Sequence, residues 1–397
     1  MKILGIETSC DETAASVVED GVKILSNVVV SQIDIFAAYG GVIPEVAARS
    51  HLEAILPVID KSLKDAKLSW DDIDAIAVTH TPGLLGSLLI GTLTARTLAT
   101  LHEKPLYPVH HLKSHIYANW IETEEKPTFP LLAIVISGGH TQILYMKEHN
   151  HFEIIGTTHD DAIGECFDKV AKILGLPYPG GPSIAKAAKS GDEKKYKLPH
   201  PKVENLDFSF SGLKTAVLRA VQKELGLPIS HPSHDLKNHL TDKQIADFAA
   251  SFEKTAVDIL LEKLNLALSQ YPEVKSIVFA GGVSANEHLK KVLLPEYALI
   301  RGETTSLRGF PEVTTEEKTP EPRNDGREGR RSPEEAVSAS ESKKEQNLEK
   351  LRVFFPQKSL SGDNGAMVAS AAFFEIKSGV EPSDPYKLNI LPRSAIK

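Results

Sequence analysis

The hexad His110-His111-Leu112-Lys113-Ser114-His115 is where residue type and spacing offer chemistry most directly. His111 and His115 stand four apart, so on a helix they share a face and can bind one metal ion. Histidines at this spacing also occur on solvated helix surfaces, and the pair alone does not decide. A carboxylate, Asp363, stands in Ser361-Gly362-Asp363-Asn364-Gly365-Ala366-Met367-Val368-Ala369, just ahead of a small-residue helical run. Taken alone it reads equally well as a helix N-cap. Three glycine turns offer something else: Ser137-Gly138-Gly139-His140-Thr141, Pro179-Gly180-Gly181-Pro182 and Gly281-Gly282-Val283-Ser284-Ala285-Asn286. Glycine lets backbone amides approach a phosphate or ribose closely. One such turn is only a tight turn, whereas three in one half of a chain point to a nucleotide. None matches the Walker A pattern. In Asp160 to Ala171, the acids Asp161, Glu165 and Asp168 fall roughly on one helical face. They form either a solvated face or a set of acceptors for ribose hydroxyls.

The elements that must position these groups repeat along the chain. Ile3 to Thr8, a polar turn at Ser9-Cys10-Asp11-Glu12-Thr13, and Ala14 to Val18 read as strand, turn, strand. Leu131 to Ile136, the turn from Ser137 to Thr141, and Gln142 to Met146 read the same way. A third strand follows each, Val28-Val29-Val30 and Phe152 to Ile155. Asp74 to Thr79 precedes Pro82-Gly83 and an apolar helix, Leu88 to Leu101; Lys275 to Ala280 precedes Gly281-Gly282 and a helix from Asn286. Leu106 to Val109 then runs into His111, as Val353-Phe354-Phe355 runs toward Asp363. Glu45 to Leu63 and Asp242 to Ser269 carry apolar residues at helical period. Each half therefore reads β-β-β-α-β-α-β-α.

This order predicts an α/β protein of two duplicated actin-like, sugar-kinase-like (RNase H-like, ASKHA) domains facing across a cleft. Residues 1–127 form the first and 128–397 the second, with the C-terminal helix packing back on the first. In open α/β sheets ligands collect at the strand ends. Asp363 follows the last strand of its half as His111 follows the last strand of the other, so the repeat brings the three groups together across the cleft. Two histidines and one carboxylate with open positions suit one divalent metal per subunit, Fe(II) favoured and Zn(II) compatible.

Residues 302–350 break the pattern. They are charged, rich in Pro, Ser, Thr and Glu, and too poor in apolar residues to offset their ordering entropy. They read as a disordered charged insertion between strand-like Tyr297-Ala298-Leu299-Ile300 and strand-like Leu351 to Phe355. Over the whole chain, 41% hydrophobic and 25% charged residues describe an ordinary globular protein. No apolar run is long enough to span a bilayer, and Ile3-Leu4-Gly5-Ile6 reads as a strand rather than a secretory signal. Two cysteines, Cys10 and Cys166, make no disulfide framework, so the cytoplasm is expected. A net charge of -8 supplies no global basic field, so a nucleic-acid substrate would need a local patch or a partner protein.

Outside the insertion nearly the whole chain resembles the TsaD family, the tRNA N6-adenosine threonylcarbamoyltransferases once described as glycoproteases, in its bacterial form. The matching stretches are Gly5 to Thr13, Tyr39 to Glu45, Val109 to His115, Val135 to Thr141, Asp207 to Thr215, Ala280 to Asn286 and Asp363 to Met367. The resemblance implies that His111, His115 and Asp363 hold the metal. It implies that Val135, Ile136, Ser137, Gly138, Gly139, Asp168, Gly181 and Asn286 hold the adenylate part of L-threonylcarbamoyladenylate. The acceptor would be N6 of the adenosine 3′ of the anticodon in tRNAs reading codons that begin with A, giving t6A and AMP. A TsaB-like paralogue and a TsaE-like ATPase would be partners, and no membrane is involved. An aromatic amine is a poor nucleophile, so Asp11 and Glu12 on the first polar turn are candidate bases. Family members often carry Thr where Leu360-Ser361-Gly362 precedes Asp363 here, and the insertion is a second departure.

Two other readings compete. A zincin metalloprotease needs Glu directly after its first histidine, and Leu112 stands there. An actin-like ATPase or sugar kinase shares the fold but leaves the paired histidines unexplained.

Overall fold

The computed structural model describes residues 1–230, 232, 235–300, 351–394 and 396, without the side chains of 294–300. The insertion at 302–350 lies outside the described residues. The first five-stranded sheet runs β3-β2-β1-β4-β5, from β1 (Lys2–Glu7), β2 (Glu12–Glu19), β3 (Lys23–Ser31), β4 (Ala75–Thr81) and β5 (Leu106–His110). The second runs β10-β9-β6-β7-β8, from β6 (Leu131–Ile136), β7 (Thr141–Met146), β8 (Phe152–Thr157), β9 (Ser276–Ala280) and β10 (Arg352–Phe354). In each, the first three strands form an antiparallel meander and the last two add in parallel. The two sheets share one topology, the duplicated actin-like, sugar-kinase-like order read from the sequence. Pro108 sits in β5 at the sheet edge, where a missing N–H costs least.

The helices of the first half are α1 (Ile33–Ala37), α2 (Pro44–Ala66), α3 (Leu85–Leu101) and α4 (His111–Tyr117). Those of the second are α5 (Ile163–Leu174), α6 (Gly180–Ala188), α7 (Ser211–Glu224), α8 (Asp242–Gln270), α9 (Glu287–Ile300), α10 (Lys358–Ser361) and α11 (Gly365–Lys377). Two expectations need correction. Four helices, not one, fill the space between β8 and β9; α6 opens on Gly180-Gly181-Pro182, which reads locally as a turn. Tyr297 to Ile300 is the last turn of α9, not a strand, because so short an apolar run fits either period.

The sites depend on the middle layer. The helix after β5, α4, touches β6 and β9 of the other sheet, and the helix after β10, α11, packs on β1 and β2. Leu112, Ile116 and Tyr117 of α4 and Ala366 to Ala372 of α11 share one buried cluster with Ile3 of β1 and Leu131, Ala133 and Val135 of β6. Two other clusters lie outside the sheets, one under α2 and α3 and one under α5 to α9. α11 reaches β1 only because glycines meet there. A Cβ on Gly5 would stand 2.1 Å from the Gly365 carbonyl oxygen and 2.6 Å from the Ala369 nitrogen.

Gly5→Ala should therefore force α11 off β1 and destabilise the chain by about 1–3 kcal/mol, the usual cost of overpacking. A thermal melt within a degree of wild type would show that the crossing has slack.

Candidate metal centre

His111 opens α4 and His115 lies one turn later, so both imidazoles project from the same face at the seam between the sheets. Asp363 arrives from the other half, two residues before α11. It is not the N-cap: Asn364 takes that place, accepting from Met367 N at 2.9 Å and donating to the Leu360 and Gly362 carbonyls. Asp363 is thereby left to face the histidines. Its Oδ1 lies 3.0 Å from His115 Nε2 and 3.6 Å from His111 Nε2. The two rings meet edge to face with centroids 4.6 Å apart. One ligand atom from each of the three lies within 4.8 Å of the others.

Behind His111 stands Glu7, fully buried at the end of β1. Its Oε2 is 3.1 Å from His111 Nδ1 and accepts from Thr79 Oγ1 at 2.6 Å, while Oε1 accepts from Ser9 N at 2.5 Å. Ser9 Oγ is also 3.1 Å from His111 Nδ1. A carboxylate on the far nitrogen of an imidazole fixes its tautomer and leaves the other nitrogen for a metal. The nitrogen left is Nε2, which faces Asp363. His115 Nδ1 is buried without a hydrogen-bond partner. The donor set therefore fits a divalent cation. Sequence reading assigns Glu7 no role; its signal is one carboxylate closing an otherwise apolar strand, Ile3 to Ile6. His140 is a second omission: burial and the nearby imidazoles of His111 and His115 push it down to about 4.

The charges are tightly linked. Burial works to lower His111, but the carboxylates of Asp363 and Glu7 outweigh it and raise it to about 9. Burial works to raise Asp363, but His111 and His115 outweigh it and lower it to about 2. Glu7 is likewise held below its ordinary value by His111 against burial. Glu12 is pushed up to about 10 by burial, then by Asp363 and Asp11. Glu12 accepts from Ser31 Oγ at 3.1 Å.

Across the cleft, the remaining candidates divide. Burial and then charge, with Asp11 among the causes, raises Asp168 and Tyr178, so the Asp11–Glu12 turn faces α5 and its neighbours. Asp168 spends Oδ1 on Gly180 N at 2.6 Å, anchoring the start of α6. Val135 and Ile136 are fully buried, so only their backbone can meet a ligand. Nothing stands within 4 Å of a Cβ built on Gly138, Gly139 or Gly181, so the space before these glycines is open. Gly281, at φ +86°, lets its turn stack on the end of β6, 2.5 Å from the Ile136 carbonyl oxygen by the same test. Asn286 has both ends of its amide engaged, donating to Glu253 at 2.7 Å and accepting from Leu289 N at 2.8 Å. Of the acids near α5, Asp161 and Glu165 clamp Lys169 at 2.6 and 2.9 Å. Both cysteines are free.

Known proteins agree closely with this chain. A family model described as TsaD: tRNA N6-adenosine threonylcarbamoyltransferase matches residues 23–301. A Caldicellulosiruptor bescii protein named tRNA N6-adenosine threonylcarbamoyltransferase is 42% identical over 393 residues, 99% of this chain and 97% of that one. A Bacillus cereus protein of the same name is 49% identical over 298 residues, 75% of this chain and 82% of that one. Among solved structures, full-length HypF in its phosphate- and nucleotide-bound form is 14% identical with a TM-score of 0.50, covering 95% of this chain and 46% of that one. That likeness concerns the fold alone.

The linked charges set a pH dependence. The His111 contribution to metal-free stability is complete below its ordinary value of 6.5 and is lost as pH rises through about 9. That of Asp363 is complete above its ordinary 3.8 and is lost only as pH falls through about 2. A metal must displace the His111 proton, so Co(II) affinity should tighten up to about tenfold per pH unit from pH 6.5 and level off near 9. Glu7→Gln removes one of the raising charges and should bring the plateau to lower pH. Chelator-competition titrations giving a flat profile would rule out His111 as a ligand.

Proposed function

This chain belongs to the TsaD family of tRNA N6-adenosine threonylcarbamoyltransferases, and from that premise we propose the reaction, cation and partners that follow. The threonylcarbamoyl group of L-threonylcarbamoyladenylate passes to N6 of the adenosine 3′ of the anticodon, in tRNAs reading codons that begin with A. The new bond joins N6 to the carbamoyl carbon. The bond from that carbon to the phosphate oxygen breaks, its electron pair leaves with AMP, and the N6 proton passes to a base. The observation that carries this reading is the meeting of His111 and His115 with Asp363, groups from opposite halves, beside open glycine turns.

His111, His115 and Asp363 would hold one divalent cation per subunit. Two histidines and a carboxylate favour Fe(II), with Zn(II) compatible. When bound, the cation supplies charge to polarise and orient the threonylcarbamoyl group. Backbone amides at Ser137, Gly138, Gly139 and Gly181, with the strand end at Val135 and Ile136, would receive the adenylate phosphate and stabilise it as it leaves. Asp168 would orient the ribose with its second oxygen, and Asn286 would help through the Glu253 contact that fixes its amide. Glu12, raised by burial and by its carboxylate neighbours, pairs with Asp11 as the candidate proton acceptor once those charges are offset. Residues 1–127 and 128–397 would act as the two domains of this cleft. A protease is disfavoured because Leu112, where a zincin has its Glu, is buried in the middle layer.

The cytoplasm is the compartment that fits a tRNA substrate, and no described helix is long and apolar enough to cross a membrane. For a TsaB-like paralogue we assign the outer face of α2 and α3. Leu52 and Leu56 on α2 remain 65% and 60% exposed, and Leu85, Leu89 and Leu93 form an exposed i, i+4, i+8 stripe on α3. Such a contiguous apolar surface marks a partner site. A paralogue with the same fold would set an equivalent helix pair against it, leaving the cleft free for tRNA and a TsaE-like ATPase at the assembled pair.

Purified chain with L-threonylcarbamoyladenylate, tRNA and the partner proteins should form t6A, read by nucleoside mass spectrometry. His115→Ala should lose at least about a hundredfold in rate, the scale of losing a metal ligand or its support, while circular dichroism shows the chain still folded. Full activity in that variant would discard the cation's part in transfer.

Leu56→Glu with Leu89→Glu should abolish the complex with the paralogue in size-exclusion chromatography while leaving the chain folded. An unaltered complex would place the interface elsewhere.

A further inference from the structure

We propose that His110, latched by the C-terminal strap of residues 380–394, positions the helix that presents His111 and His115. The inference rests on the cation reading above and concerns residues that reading leaves without a task.

Beyond α11 the chain runs back across the first half. Ser383 N donates to the Leu106 carbonyl at 2.8 Å, forming an isolated antiparallel bridge to β5. Arg96 of α3 donates to the carbonyls of Pro385 and Tyr386. Leu388 is buried in the cluster under α2 and α3. The strap then crosses the ends of β4 and β5. Leu391 N donates to the His80 carbonyl at 3.1 Å, and Gly83 N donates to the Pro392 carbonyl at 3.2 Å. Finally His110 Nε2 lies 3.2 Å from the Ser394 carbonyl oxygen.

His110 is buried, and its other nitrogen is also committed. Leu112 N donates to Nδ1 at 3.3 Å, making His110 the side-chain N-cap of α4. A backbone N–H can only donate and a carbonyl can only accept. The two partners together therefore fix a neutral ring with its proton on Nε2. One side chain thus ties the strap to the first turn of the ligand helix. A second connection runs through the same strap. Next to Gly83, Leu84 N donates to the Ser9 carbonyl at 2.8 Å, and Ser9 Oγ lies 3.1 Å from His111 Nδ1. The strap holds His111 from two sides, through its helix cap and through its hydroxyl neighbour. Ordinary tail packing would stabilise the first half without altering the site; positioning should be felt at the cation.

The test uses the full chain, a chain ending at Asn389, His110→Asn, and the two changes combined. Truncation after Asn389 keeps Leu388 and removes the contacts of Leu391, Pro392 and Ser394, together with Ile396, which is buried in the middle-layer cluster. Asn retains an oxygen able to cap the helix but is too short to reach Ser394. Co(II), added as chloride, reports affinity by titration and ligand geometry by its visible absorption. Each single change should weaken Co(II) binding about tenfold, the usual effect of losing outer support of a metal ligand, and alter the band intensity; the melting temperature should change little in His110→Asn and fall in the truncated chain, which also loses buried Ile396. The combination should match the truncation alone, since truncation already cuts the one link that His110→Asn removes. Folded variants with wild-type affinity and spectrum, or losses that simply add, would overturn the proposal. If the truncated chain does not fold, His110→Asn decides by the same readout. A wild-type chain that binds no Co(II) would remove the cation reading itself, whereas binding that ignores both changes removes only the strap's role.

Discussion

Three buried ionisable side chains, Glu7, His111 and His115, meet the half-buried Asp363 at the seam between the two sheets. Buried ions cost several kcal/mol each unless they are paired and hydrogen-bonded. Here the signs alternate, carboxylate, imidazoles, carboxylate, and Glu7 has further donors in Ser9 N and Thr79 Oγ1. The members come from β1, α4 and the start of α11, so no single half contains the arrangement. Glu7 and His111 pair within the first half, whereas Asp363 finds its partners only across the seam. The electrostatics of the site and the docking of the two halves are therefore one problem with one solution.

The middle layer supplies that solution. In each half the fifth strand feeds a helix into the space between the sheets, and each of these helices meets the opposite sheet. The Gly5–Gly365 crossing sets how closely α11 approaches β1, and with it where Asp363 stops. The outer edges are managed differently. β5 is bridged by Ser383, and Thr158, just past β8, is bridged by Phe208, so two sheet edges are partly covered by chain from elsewhere. The leucines on the outer face of α2 and α3 have no such cover among the described residues. The first half thus offers one surface shaped by the chain's own tail and, on the proposed reading, another left for a second molecule.

Much of this was legible in the sequence, for physical reasons that differ by element. Strand order followed from the duplicated strand-turn-strand runs, because half-buried strands with polar turns leave a strong period. The triad followed from that duplication, since His111 and Asp363 hold equivalent places after β5 and β10. Of the short helices, α5 was read only through the helical face of its acids, and α6 and α7 were not read as separate elements; α6 begins with Gly-Gly-Pro, which reads as a turn. Tyr297 to Ile300 misled because four apolar residues suit a strand as well as a helix end. Glu7 was missed because a carboxylate at a strand end looks like an exposed turn residue until a partner 104 positions away, His111, is seen above it. Nor could the role of Asn364 as the true cap, which frees Asp363, be separated from Asp363 by sequence position alone.

The sign of the cleft gives the cation a reason beyond its ligands. Asp11, Glu12, Asp168 and Asp363 border a space that, on the proposed reading, must admit an adenylate and a tRNA, both anionic. The chain as a whole carries -8, so no distant basic field compensates. Burial and mutual repulsion raise Glu12 to about 10 and raise Asp168 above its ordinary value, which lowers the negative charge the substrates meet. A divalent cation beside Asp363 would go further, cancelling the carboxylate that does most, after burial, to keep Glu12 protonated. The same ion that makes room for a phosphate would then return Glu12 toward its ionised form, the form able to accept a proton from N6. Cation binding, substrate admission and readiness for proton transfer would thus be linked through one carboxylate, Asp363.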